Sequence, residues 1–131
     1  MRNMTTVEIK AFLPSRDFEL SKRFYVDLGF TVASSSEDLA YLHADRSSFL
    51  LSKFYRKEFA ENLMMHLLVE DVEAWWQHTQ DQQMAQRYGV RVNPPEDRPW
   101  RIRDFTITDP AGVLWRIGQN IAAATPPKPT D

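Results

Sequence analysis

An α+β fold made of two β-α-β-β-β modules is predicted by three observations. Short strand-like runs flank two stretches of helical period, the pattern restarts midway along the chain, and aspartates punctuate both halves at matching places. Asp17 and Asp71 each follow a first strand, whereas Asp45 and Asp109 each lead a turn into a last strand. The alternative is a pair of unrelated αβ segments whose aspartates coincide.

Val7 to Leu13 is rich in strand formers, and Pro14-Ser15-Arg16-Asp17 breaks it and supplies an N-cap. Phe18, Phe24, Tyr25 and Leu28 then share one side of a helix that Gly29 ends in a left-handed conformation. Phe30 to Ala33, Leu39 to Ala44 and Phe49 to Phe54 are three further strands, separated by polar turns, and Arg56 to Asn62 reads as a polar connector. The second half repeats this order. Leu63 to Val69 is a strand, Asp71 caps a helix carrying Val72, Trp75, Trp76 and Thr79, and Gln80 to Gly89 holds a second helical turn. Val90 to Val92 is a strand that Pro94-Pro95 terminates. The stretch Arg98 to Gly118 is a Trp-bearing loop followed by a hairpin around the turn Asp109-Pro110-Ala111-Gly112.

These elements fill one domain, residues 1–121, with the first module at about 7–55 and the second at about 63–119, and residues 122–131 are expected to be a disordered tail. Sixteen basic against 18 acidic residues give a net charge of −2, which argues against nucleic acid or an anionic membrane as partner. No cysteine is present, so disulfides, thiolate nucleophiles and thiolate zinc sites are excluded. Met1 to Glu8 lacks the apolar run of a secretory signal, and a cytoplasmic location is expected.

Four strings carry a resemblance: Phe12-Leu13-Pro14-Ser15-Arg16-Asp17, Phe24-Tyr25-Val26-Asp27-Leu28-Gly29-Phe30, Val69-Glu70-Asp71-Val72 and Asp109-Pro110-Ala111-Gly112. In this order the chain resembles the vicinal oxygen chelate superfamily of glyoxalases, extradiol dioxygenases and fosfomycin and bleomycin resistance proteins. Pro99-Trp100 and Arg103-Asp104-Phe105 look most like the bleomycin resistance branch. The resemblance implies a curved mixed-sheet groove, a homodimer whose chains complete each other's grooves, and sequestration of a drug without turnover.

In the metal-dependent members, ligands come from strand positions that correspond here to Lys10, Ser52, Met64 and Arg116, seven residues before Asp17 and Asp71 or seven after Asp45 and Asp109. None of these suits a divalent cation, and Lys and Arg offer no lone pair at neutral pH. His66 shares a strand face with Met64 and is the best single candidate ligand, but it has no histidine partner; His43 and His78 have no partner spacing either. No cofactor is therefore expected and no catalytic residue is assigned; the alternative is a cofactor-free enzyme that acts through His66 or a groove carboxylate with a shifted pKa.

Trp100 falls on the position of a groove Trp in the resistance branch, where a flat indole suits stacking, or else it plugs the end of the sheet. Leu39 stands where that branch commonly has an aromatic. Trp115 alternates with Arg116 and is expected in the core, and the adjacent Trp75 and Trp76 are expected to pack. The near-neutral charge and the bases Lys10 and Arg116 disfavour a cationic drug and suit a planar molecule bearing a carboxylate or phosphate, unless Arg116 pairs internally with Asp104 or Glu8. The expected ligand-binding set is Trp100, Arg116, Lys10, His66, Ser52, Leu39 and Met64. Three functions compete: a metal-free small-molecule binding protein, a metalloenzyme with an unusual site at His66, and a structural dimer with a closed groove.

Overall fold

The computed structural model describes residues 1–122, so the expected tail lies, past Ala122, outside the described residues. The first module contains β1 (Phe12–Pro14), α1 (Phe18–Leu28), β2 (Thr31–Ser35), β3 (Leu39–Ala44) and β4 (Ser47–Ser52). After α2 (Lys57–Asn62), the second contains β5 (Met64–Leu68), α3 (Val72–Asp81), α4 (Met84–Tyr88), β6 (Val92–Arg98), β7 (Ile102–Thr108) and β8 (Leu114–Asn120). The modules form two four-stranded sheets, ordered β1-β4-β3-β2 and β5-β8-β7-β6. In both sheets the first strand runs parallel to the last and the other neighbours are antiparallel, so the sequence repeat is a topological repeat.

Local chemistry explains the boundaries. The Asp17 carboxylate accepts from the Leu20 N–H at 3.1 Å, and Asp71 does the same for Ala74 at 3.1 Å, each satisfying an otherwise orphaned helix donor. Gly29 ends α1 at φ 136°, where its N–H reaches the Tyr25 and Val26 carbonyls.

Packing then joins the modules through the inner faces of both sheets. Trp115 on β8 lies 5.4 Å from Phe49 on β4, 5.6 Å from Phe30 and 5.6 Å from Tyr25 of α1, ring centroid to ring centroid. The buried Tyr25 hydroxyl donates to Asp109 and accepts from the Trp115 indole N–H at 2.9 Å. The other Asp109 oxygen takes the N–H groups of Ala111 and Val113, so the turn before β8 is tied to α1 of the other module. Trp115 is in the core as its alternation with Arg116 predicts, and Trp75 and Trp76 are half-buried.

Three boundaries differ from expectation. The first strand begins only at Phe12, and Val7 to Ala11 form no strand; Val7 and Ile9 are 96% and 94% exposed, so no neighbouring strand satisfies that length. The connector Arg56 to Asn62 is mostly helix. Lys57, Glu58, Ala60 and Glu61 are good helix formers, and the buried Ala60 docks the turn, a tertiary contact invisible in a polar segment. Pro94 and Pro95 do not end a strand but lie inside β6, at a register shift between Asn93 and Glu96. β6 is an edge strand, where a missing N–H costs no ladder bond, and a bulge accommodates the pair.

Candidate functional site

Strand alternation divides the expected site residues between two surfaces. On β8, Trp115 and Ile117 point inward, leaving Leu114 and Arg116 on the outward face of their sheet. Cross-strand register sets His66 of β5 and Thr106 of β7 on either side of Arg116, and Met64 beside Leu114. On the other sheet, Phe49 and Leu51 point inward, so Leu50 and Ser52 of β4 face outward, with Leu39 of β3 opposite Ser52. Because the inner faces meet at Phe49 and Trp115, the outward faces point away from each other. One chain therefore brings Met64, His66 and Arg116 onto one face and Leu39 and Ser52 together on the other, where Lys10 lies over Tyr41, but it does not bring Lys10 next to Arg116.

The face around Arg116 has a charged centre. Asp104, 1% exposed, accepts from Arg98 Nε at 2.9 Å and from Arg116 Nη1 at 3.4 and 3.5 Å. Arg98 is further held by Glu96 at 2.9 Å. Charge-assisted bonds are usually near 2.8 Å, so the Arg116 contact is loose. Arg116 is thus paired internally, as one of the two sequence alternatives has it, while its remaining donors have no partner among the described residues. Gly118 is needed beside this pair, since a Cβ there would lie 2.8 Å from Ile102 Cγ2 and 3.1 Å from Asp104 Cβ.

The other face is organised by Glu8, which the sequence did not single out as a site residue. Its carboxylate accepts from Tyr41 Oη at 2.9 Å and from the Ser48 hydroxyl, and pairs with Lys10 at 3.1 Å. Those hydrogen bonds, Ser48 first, hold the Glu8 carboxyl below its ordinary range. Lys10 Nζ also lies 4.9 Å over the Tyr41 ring. The Ser52 hydroxyl oxygen accepts from the Phe54 N–H at 3.1 Å. Alternation with Leu39 marks Tyr41 as a member of this face, and alternation with Lys10 along the expected strand Val7 to Leu13 would have marked Glu8, although that segment is not a strand in the structure.

Trp100 sits in the turn between β6 and β7, 59% exposed and next to Arg101 at φ 66°. Its indole is open to solvent in the single chain rather than packed on the core.

The donor sets do not fit a divalent ion. Lys10 and Ser52 face one way, Met64 and Arg116 the other, and among the described residues no three of His, Cys, Asp and Glu converge. No helix among them is long and apolar enough to cross a membrane.

The family model described as Glyoxalase/Bleomycin resistance protein/Dioxygenase superfamily matches residues 7–117. The chain belongs to this superfamily. Several solved structures share its fold: a bleomycin-binding protein complexed with bleomycin is 24% identical at TM-score 0.74, covering 88% of this chain and 99% of its own. TnmS3, an antibiotic binding protein from a Streptomyces species, is 23% identical at TM-score 0.72 over 90% and 99% of the two chains. A lactoylglutathione lyase from Agrobacterium tumefaciens is 16% identical at TM-score 0.63 over 87% and 94%. No curated protein sequence matches. At these identities the likeness is one of fold, and binding proteins and an enzyme share it.

Proposed function

We propose that this superfamily member is a metal-free binding protein that sequesters an aromatic, anionic small molecule in a groove completed by a second copy of the chain. The observation that carries the reading is Arg116, central on an open sheet face, loosely attached to Asp104 and with its side chain 30% exposed. A guanidinium in that state grips a carboxylate or phosphate through parallel N–H donors. His66 and Thr106 beside it add polar contacts, and the exposed Trp100 supplies a stacking surface.

A second copy is supported by the division of residues. Lys10, Ser52 and Leu39 join Met64, His66 and Arg116 in one groove only when the outward sheet of one chain meets the opposite sheet of another. Both faces also carry exposed apolar side chains, Phe12 and Leu39 on one, Met64 and Leu68 on the other, which suit burial in such a contact.

A thermal-shift screen of aromatic carboxylic acids and drugs, followed by titration of the best hit, tests this. A ligand that binds only the native state raises the melting temperature. Arg116→Ala is expected to weaken an aromatic acid while sparing its neutral amide, and Trp100→Ala to weaken both. Equal loss of acid and amide on removing Arg116 refutes the charge role, and a stoichiometric divalent ion in the purified protein favours the metalloenzyme reading through His66. Light scattering that shows only monomer at micromolar concentration removes the shared groove.

A further inference from the structure

A cleft of about 920 Å³ opens where the two modules diverge, between the β3–β4 hairpin, the turn after α1 and the start of α3. Small-molecule sites typically span roughly 300–1,000 Å³. None of the residues expected from sequence to bind ligand lines this cleft, and unlike the outward faces it is complete within one chain.

One wall is the half-buried Trp75. Its ring is braced against Gly29, at which a Cβ would come within 3.2 Å of the indole, so the close approach depends on glycine and holds the ring in place. A braced indole is a preorganised stacking surface. A smaller apolar recess bounded by Leu28, Ala74 and His78 adjoins the same ring.

Charge selects among flat ligands. The cleft is lined by the carboxylates of Asp45, Glu70 and Asp71 against the single guanidinium of Arg46, with His43 the remaining titratable group. All four charged residues are exposed, and among the described residues none forms an ion pair. The start of α3 would ordinarily favour an anion, but two of its three first-turn donors are taken, the Val72 N–H by Gln119 at 3.0 Å and the Ala74 N–H by Asp71 at 3.1 Å, and the Asp71 carboxylate stands at the same place. An anion therefore meets mostly carboxylates, whereas a cation gains them along with the indole face.

We infer that the inter-module cleft is a second ligand site, one that takes a planar organic cation stacked on Trp75 with its charge toward Asp45 and Glu70. It needs neither a second copy nor the groove of the proposed function.

Calorimetric titration at pH 7 with proflavine, a flat cation, and 9-anthracenecarboxylate, a flat anion, tests it. Proflavine is expected to bind in preference to the anion. Trp75→Leu and the double variant Asp45→Asn/Glu70→Gln are each expected to weaken it at least about fivefold, while Trp100→Ala and Arg116→Ala change it less than about twofold. The proposal is overturned by no proflavine binding up to about 1 mM, by equal affinity for the anion, or by loss only in the Trp100 and Arg116 variants. Should Trp75→Leu fail to fold, the double variant decides, because both of its positions are exposed.

Discussion

Replacing Tyr25 by Phe removes one oxygen from the contact that joins the two modules. The ring stays, with its edge-on neighbours Phe24, Phe30 and Phe49, so the apolar core loses almost no area. Two polar groups lose their partner: the buried Asp109 carboxylate, which keeps only the N–H bonds of its own turn, and the Trp115 indole N–H, which is left without an acceptor. A hydrogen bond to a charged group contributes about 1.5–3 kcal/mol and a stranded buried donor costs about 1–3; since one hydroxyl serves both, we expect a total near 3 kcal/mol. Urea unfolding followed by tryptophan fluorescence measures it at pH 7, with the slope against denaturant as a check on the native state. A loss below about 1 kcal/mol would show that water or local relaxation replaces the hydroxyl and that the network does not hold the modules together.

The same variant carries a pH signature. Burial, then the charge of Asp109, raises the Tyr25 phenol well above its ordinary 10, so above pH 10 the unfolded chain releases a proton that the folded chain retains. Stability that is fully present below pH 10 is therefore lost as pH rises, and Tyr25→Phe removes that part of the alkaline decline. Tyr88, pushed up to about 12 chiefly by burial and then by its bond to Asp27, gives a slope of the same sign that persists in the variant. Asp109 is also raised, chiefly by burial, so its contribution is complete below its ordinary 3.8 and is lost as pH rises through the folded value.

Other substitutions probe separate parts of the structure. Gly118→Ala forces a Cβ against Ile102 and the Asp104 side chain and is expected to destabilise by about 1–3 kcal/mol in thermal or urea unfolding; a neutral result would mean that β7 yields easily. Asp71→Ala uncaps α3 and should cost about 1 kcal/mol by the same measurement, with no change if water takes over the Ala74 N–H. Glu8→Gln weakens the tie between the N-terminal segment and β3 and β4, so tryptic cleavage after Lys10 is expected to accelerate; an unchanged rate would show that the segment is held by something else.

Much of the architecture is written in short-range patterns. Asp17 and Asp71 mark helix starts because a side-chain oxygen two or three residues upstream is the nearest acceptor for an orphaned N–H. Trp115 and Arg116 are assigned to opposite faces because a strand alternates. The topological repeat follows from the matching order of strands, helix and turns. Edge positions leave no such pattern: Pro94-Pro95 stop a central strand but not an edge strand, and sequence does not say which strand lies outermost. The helix over Lys57–Asn62 likewise depends on one buried alanine.

Alternation and capping over a few residues specify the two-module α+β architecture and which side chains share a strand face. How those faces are disposed comes from long-range packing between the modules. The rings of Phe30, Phe49 and Trp115 meet across the two sheets, and that packing turns Arg116 and Lys10 toward opposite sides of the chain, opens a cleft beside Trp75 and commits part of Arg116 to Asp104. Contacts between residues tens of positions apart set these relations, and no local periodicity records them.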